Sequence, residues 1–359
     1  MINAPDAATK ADFFPRGGSN RAKSRLGVTH SAEPERGLFV GAVAYQMVFL
    51  IVGLLGVIFS ARFFLKGAIA ASIRFGIPEF LVGSLIVAVG TSAPEFAINI
   101  AASLQQAGDV IASNIIGSNI VNIGLGIGFA GLLVRYTASP PAYLSAAFVG
   151  LAGAVALLLL TVLSGEGESA RYSRFAALIF VLGFAGFAYW SIWHLNVEEE
   201  EDELPGKNIS RAAMLALLVL GALGMSFFAD MTVSNAVDLA TQLGIPSVVI
   251  GATIVAAGGS LPEVFACIEA ARLKRPNIVV GNIVGSQVFN IFGILGISGL
   301  VATFEYDRVV ANDLIFLIAM TVIWIISFRW LPLRQRVAPI FLAIYALYAL
   351  YLICLALCG

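Results

Sequence analysis

Apolar residues run along this chain in long blocks separated by short polar or charged stretches. The blocks fall near 39–61, 78–105, 109–133, 141–163, 173–194, 211–229, 246–271, 277–302, 309–328 and 338–358. A helix needs about 20 predominantly apolar residues to cross the hydrocarbon core of a bilayer. The pattern therefore predicts an all-α polytopic membrane protein with ten transmembrane helices. The first and sixth blocks continue through 62–73 and 230–241 with helical periodicity and sparse charge, which predicts two long helices. The blocks group five and five, as 39–195 and 211–359, with a polar tail at 1–38 and an acidic linker at 196–210.

The two groups resemble each other. Residues 83–95 read GSLIVAVGTSAPE and residues 251–263 read GATIVAAGGSLPE; NIIGSNIVNI at 114–123 is answered by NIVGSQVFNI at 282–291. Aligned without a gap, 77–125 and 245–293 share 18 of 49 positions, and many of the matches are glycine, proline, hydroxyls, amides and one acid. Shared hydrophobicity does not produce such matches, so the chain is an internal duplication with a shift of 168 residues. An odd number of spans per copy makes the second copy enter the membrane from the opposite side, and the repeats are expected to be inverted.

Charge gives an independent test. With the N-terminus outside, the inward ends and loops carry Arg62, Lys66, Arg74, Arg135, Lys207, Arg211, Arg272, Lys274, Arg275, Arg329, Arg334 and Arg336, and the outward helix ends and loops Arg171, Arg174 and Arg308, besides six Lys and Arg on the tail at 1–38. That imbalance predicts N-out and C-out, in a cell (plasma or inner) membrane. Arg62 and Lys66 align with Asp230 and Ser234, so the same helix end loses its cations where it would face outward. The tail at 1–38 reads as disordered and polar. The run VEEEEDELPGK at 197–207 reads as a solvated linker, since acids without spaced Asp/Asn and Gly do not make an EF-hand loop.

Composition agrees on the solvent: 59% of residues are hydrophobic, 12% are charged and mean hydropathy is +0.92. A net charge of −1 and the lack of a basic patch exclude nucleic acid as a partner, leaving the lipid bilayer and small ions. The cysteines Cys267, Cys354 and Cys358 lie in apolar stretches with no metal-binding spacing and read as buried fillers.

The candidate chemistry sits inside the repeated segments. Glu95 and Glu263 are the acids deepest in their spans, Glu269 lying near the end of its helix, and no basic residue lies inside a span to pair with them. An ionisable group at that depth costs roughly 2.5 kcal/mol or more, which marks a functional site. Ser92 and Ser260 precede them by three residues and so share their helix face. Pro94 and Pro262 lack an N–H, which leaves the carbonyls of Gly90 and Gly258 without a helical donor. The next helices place Ser118 with Asn122, and Ser286 with Asn290, at i, i+4. Carboxylates, hydroxyls, amide oxygens and carbonyls together suit hard cations such as Ca²⁺ and Na⁺ rather than transition metals, which call for His or Cys.

At these residues the chain resembles the cation/calcium exchanger superfamily, which includes the sodium/calcium exchangers. Its paired repeats carry G-[TG]-S-x-P-[ED] followed by G-S-x-x-x-[ND]. Here these are Gly90 to Glu95 with Gly117-Ser118 to Asn122, and Gly258 to Glu263 with Gly285-Ser286 to Asn290. The resemblance implies Glu95 and Glu263 as central ligands, side-chain oxygens from Thr91, Ser92, Ser260, Ser118 and Ser286, and carbonyls from Ala88 and Ala256. It departs from the family at Gly259, where many members have Thr, and at Asn122 and Asn290, where several have one Asp. The expected function is a secondary antiporter exchanging Ca²⁺ for Na⁺ by alternating access, with no enzymatic activity and no cofactor. Ca²⁺/H⁺ antiport and a passive cation channel are the alternatives. Ser92 or Ser260 as a hydrolytic nucleophile lacks a base, because His30 and His194 lie outside the repeat motifs.

Overall fold

The computed structural model describes residues 33–134, 141–166, 169–194, 209–330 and 338–358. The chain divides at residue 42 into two units. The described part of the first, 33–42, is helical and begins the helix Glu33–Phe75, which runs on into the second unit, Val43–Gly359. The tail at 1–32, most of the acidic linker, Arg135, Lys207, Arg334 and Arg336 lie outside the described residues, as does the side chain of Cys358.

The first half begins with a 43-residue helix, α1 (Glu33–Phe75). A broken helix follows as α2 (Glu79–Thr91) and α3 (Ala93–Leu104), bent by 50°. Next come α4 (Gly108–Leu133), α5 (Pro141–Leu163), two short strands β1 (Gly165–Glu166) and β2 (Ser169–Tyr172), and α6 (Arg174–His194). The second half repeats the order of the helices, with its strand one connection earlier. It has α7 (Arg211–Gln242), a second broken helix made of α8 (the abutting segments Ser247–Ile250, Gly251–Val255 and Ala256–Gly258) and α9 (Leu261–Arg272), then α10 (Pro276–Val301), β3 (Phe304–Asp307), α11 (Val310–Trp330) and α12 (Ala338–Cys358).

Eight described helices are long and apolar enough to cross a membrane, and the bent pair α2–α3 makes nine. Its counterpart α8–α9 is interrupted at Gly259–Ser260 and falls outside that count. The chain is thus a mostly helical, multi-pass membrane protein. Burial locates its centre: 94% of the best apolar window of α10 and 78% of that of α4 is covered by protein, against 17–44% for the other spans. The poorly covered helices turn Leu, Ile, Val and Phe outward, as a hydrocarbon solvent allows.

The all-α expectation needs one amendment. The strands form an antiparallel sheet in the order β1-β2-β3, with Arg171 opposite Glu305 and Tyr172 opposite Phe304. Strands this short, with Tyr172, Phe304 and Tyr306 buried on one face, escape a search for twenty-residue apolar windows. The sheet joins the two halves: Asp109 Oδ1 accepts the Asp307 N–H at 2.7 Å, and Arg308 donates to the carbonyls of Thr161 and Val162 at the end of α5. Carbonyls left unpaired by a helix C-terminus are natural acceptors for such a cation.

The long helices α1 and α7 pack antiparallel through glycines that obey the 168-residue shift. A Cβ on Gly53 would sit 2.4 Å from Thr232 and one on Gly221 2.7 Å from Phe64; Gly56 meets Phe228 and Gly224 meets Ser60 in the same way. Thr232 and Phe64, like Phe228 and Ser60, are themselves 168 residues apart. The contact is self-complementary between the repeats.

Candidate cation site

Both broken helices break for the same local reason and in the same backbone shape. Ser92 caps α3 at φ −82°, ψ 12°, and Ser260 caps α9 at φ −93°, ψ 11°, each with a proline in the first turn that follows. Proline offers no N–H to the preceding turn, while both serines adopt the sparsely populated bridge region. π-helical turns lie close by at Val82–Val87 and Gly251–Val255, and again at Asn122–Ile127 in α4 and Phe289–Ile294 in α10. Such turns, frequent at functional sites, rotate the side chains beyond them relative to a regular helix.

The breaks bring the two repeats together. Ser92 Oγ donates to Glu263 Oε1 at 2.7 Å, a contact across 171 residues. Ser260 faces the Glu95 carboxyl in the matching place, its hydroxyl close to the carboxyl without forming a well-aligned hydrogen bond. Thr91 Oγ1 donates to the Val87 carbonyl at 3.0 Å and to that of Ala88 at 3.3 Å, and the Ala88 carbonyl also accepts the Ser92 N–H at 3.0 Å. Opposite Thr91, Gly259 leaves open space, the nearest atom to an added Cβ being Asn114 Nδ2 at 4.0 Å.

Most of the sequence-derived candidates are buried, and four of them, Ser92, Glu95, Ser260 and Glu263, meet between the repeats. Ala88, Thr91, Ser92, Glu95, Ser118, Asn122, Ser260, Glu263, Ser286 and Asn290 are all 3% exposed or less. Ala256 begins the last segment of α8, two residues before the break region. Among the described residues, both oxygens of Glu95, Oε2 of Glu263, the hydroxyls of Ser260 and Ser286, both amide atoms of Asn122 and Oδ1 of Asn290 have no hydrogen-bond partner. No Lys or Arg is among the described buried residues. Each unsatisfied buried polar group costs about 1–3 kcal/mol, so having this many of them in the repeated segments, the two acids included, is unfavourable for the protein alone. Among the described residues no group of three or more His, Cys, Asp or Glu could hold a metal, so any cation here would rest on two carboxylates and neutral oxygens.

Glu269, the third acid in these helices, does something else. Its carboxylate pairs with Arg62 of α1 at 3.0 Å and with Arg272 at 3.6 Å. A second ion pair, Arg275 with Glu79 at 2.9 Å, ties the α9–α10 turn to the start of α2.

Three asparagines were not among the sequence candidates. Asn99 donates from Nδ2 to the Glu95 carbonyl at 2.7 Å and to Asn114 Oδ1 at 2.8 Å. In the other repeat Asn282 donates directly to the Glu263 carbonyl at 3.3 Å and to Cys267 Sγ at 3.2 Å. Asn114 and Asn282 are repeat mates, as are Asn99 and Cys267. Each helix carrying a glutamate is thus clamped to the next helix, directly in one half and through Asn99 in the other. The signal was present, since Asn114 and Asn282 are identical across the duplication. It was silent about role because an amide can be a ligand or a clamp.

Comparison with known proteins follows this geometry. A family model described as sodium/calcium exchanger protein matches residues 45–193 and 213–357. The chain is 30% identical over 334 residues to the sodium/calcium exchanger MaX1 of Methanosarcina acetivorans, covering 80% of this chain and 94% of that protein. It is 31% identical over 274 residues to the inner membrane protein YrbG of Escherichia coli, covering 72% and 80%. A solved structure of the sodium-calcium exchanger NCX_Mj superposes with a TM-score of 0.71 at 26% identity, covering 85% of this chain and 98% of that one. With the family model matching most of the chain, this protein belongs to the sodium/calcium exchanger family of membrane transporters.

Proposed function

We propose that the protein is an antiporter that exchanges Ca²⁺ for Na⁺ across a cell membrane by alternating access, with both ions bound at the bilayer midplane between Glu95 and Glu263. The observation that carries this reading is the set of buried oxygens without partners in the repeated segments, two carboxylates among them, one from each repeat, with no cationic side chain among the described buried residues. Two negative charges match one Ca²⁺. Thr91, Ser92, Ser260, Ser118, Ser286, Asn122 and Asn290 supply neutral oxygens, and the carbonyls of Ala88 and Ala256 complete the set one turn earlier. Hard cations favour such all-oxygen cages. Counting α8–α9 as the tenth span gives two inverted five-helix repeats, 39–195 and 211–359, N-out and C-out. The matched breaks and the self-complementary α1–α7 contact support that arrangement. In it, α1 and α7 slide or rock across the core that holds the ions.

The test is calcium uptake into proteoliposomes under an outward sodium gradient and, separately, an outward proton gradient. Uptake driven by sodium and not by protons is expected. Uptake driven by protons alone transfers the protein to Ca²⁺/H⁺ exchange, since protons also discharge two carboxylates. Flux without any counter-ion replaces antiport with a passive channel.

A further inference from the structure

The two sides of the candidate cage are in different states, and four glycines mark the difference. Under the repeat, Gly83 of α2 corresponds to Gly251 of α8, and Gly285 of α10 to Gly117 of α4. On one side α2 lies backbone to backbone on α10. A Cβ on Gly83 would be 2.7 Å from the Ile278 carbonyl oxygen, one on Gly281 2.4 Å from that of Phe80, and one on Gly285 2.2 Å from that of Ser84. Only glycine admits so close an approach. On the other side, a Cβ on Gly251 or on Gly117 would meet nothing within 4 Å.

Side-chain burial divides the same way. Val87 is 0% exposed and its repeat mate Val255 is 51% exposed; Ile278 is 1% exposed and its mate Val110 is 49% exposed. The serine–glutamate contacts divide with them, because Ser92, at the break beside the closed seam, makes a 2.7 Å hydrogen bond to Glu263, while Ser260, at the break beside the open one, lies near Glu95 without a well-aligned hydrogen bond. A glycine inside a helix costs about 1 kcal/mol relative to alanine. Nothing in this conformation requires Gly251 or Gly117.

We infer that Gly117 and Gly251 form the dormant half of a paired seam. In a second conformation α8 closes on α4 through these glycines, in a looser form of the contact that Gly83 and Gly285 make here, while α2 lifts from α10 and Ser260 tightens its contact with Glu95 into a hydrogen bond. The inference rests on the antiport reading, which requires the site to open to each side in turn. It adds the residues on which each closure is built. Ser113 stands where the closed seam has Gly281, so the dormant seam closes less tightly and this conformation is the favoured one.

The experiment uses Gly251→Leu and Gly117→Leu in the full chain. Both side chains have room here, so each variant should fold and keep the parent's calcium-induced rise in thermal midpoint. Sodium-driven calcium exchange in proteoliposomes should fall about tenfold or more, because the clash depopulates the second conformation. Parent-like exchange in both variants overturns the seam and leaves antiport standing; no exchange in the parent overturns antiport itself. Loss of calcium stabilisation together with exchange places the leucine in the ion site and also overturns the seam. A second measurement decides if a variant fails to fold. With Cys267, Cys354 and Cys358 replaced, thiol labelling of Val255→Cys should slow when saturating sodium or calcium lets the second conformation form, and one rate in all buffers refutes the proposal.

Discussion

Glu95 and Glu263 are matched in sequence but not in surroundings. Glu263 has Ser92 on one oxygen, whereas both oxygens of Glu95 lack a partner among the described residues. A carboxylate in a low-dielectric interior is expensive unless a cation shares its charge. Removing either charge should therefore weaken calcium binding without harming the fold. In Glu95→Gln and Glu263→Gln, loss of a charge-assisted contact of about 1.5–3 kcal/mol corresponds to roughly ten- to a hundredfold lower calcium affinity. The thermal midpoint in calcium-free detergent should be unchanged or higher, because a neutral amide costs less to bury. Calcium titrations followed by thermal unfolding measure both quantities. Parent-like stabilisation of either variant by calcium removes that glutamate from the site.

Among the elements, the broken helices decide most. Their breaks follow from local chemistry, a serine cap and a proline, and so occur in both repeats. Their packing does not repeat, because only α2 has closed on its partner α10. Gly281→Ala should push the α2 and α10 backbones apart at Phe80, costing about 1–3 kcal/mol of overpacking and lowering the thermal midpoint. Ser113→Ala, at the exposed repeat mate, should leave it unchanged. Equal midpoints for the two variants would mean that the α2–α10 contact is not close-packed in the membrane. The ion pairs Arg62–Glu269 and Arg275–Glu79 have no repeat mates either, since the corresponding positions hold Asp230 with Ala101, and Ala107 with Ser247. Arg62 is 43% exposed, so its pair is partly screened and contributes less than a buried one.

For the molecule as a whole, charge balance would set the proposed transport cycle. At the proposed site one Ca²⁺ would neutralise Glu95 and Glu263, as would two Na⁺ or two H⁺, whereas three Na⁺ would leave one positive charge in excess. The family resemblance favours three sodium ions, so exchange is expected to carry net charge. Sodium-driven calcium uptake should then change with an imposed membrane potential. Uptake indifferent to potential fits two sodium ions and would retire the three-sodium cycle.

The sequence by itself determined the membrane class, most of the spans, the duplication and the polar residues inside apolar helices. These are local or periodic properties, and a buried acid beside Ser and Pro is unusual enough to read in one dimension. It did not reveal the small sheet, whose strands are shorter than the period that was sought. Nor did it separate ligand from clamp at Asn99, Asn114 and Asn282, because an amide's role depends on what it faces. Only the tertiary structure decided which side of the cage is closed. Both seams carry the same pair of glycines and differ at Gly281 against Ser113, a difference that gains meaning only once the packing shows which backbones meet there.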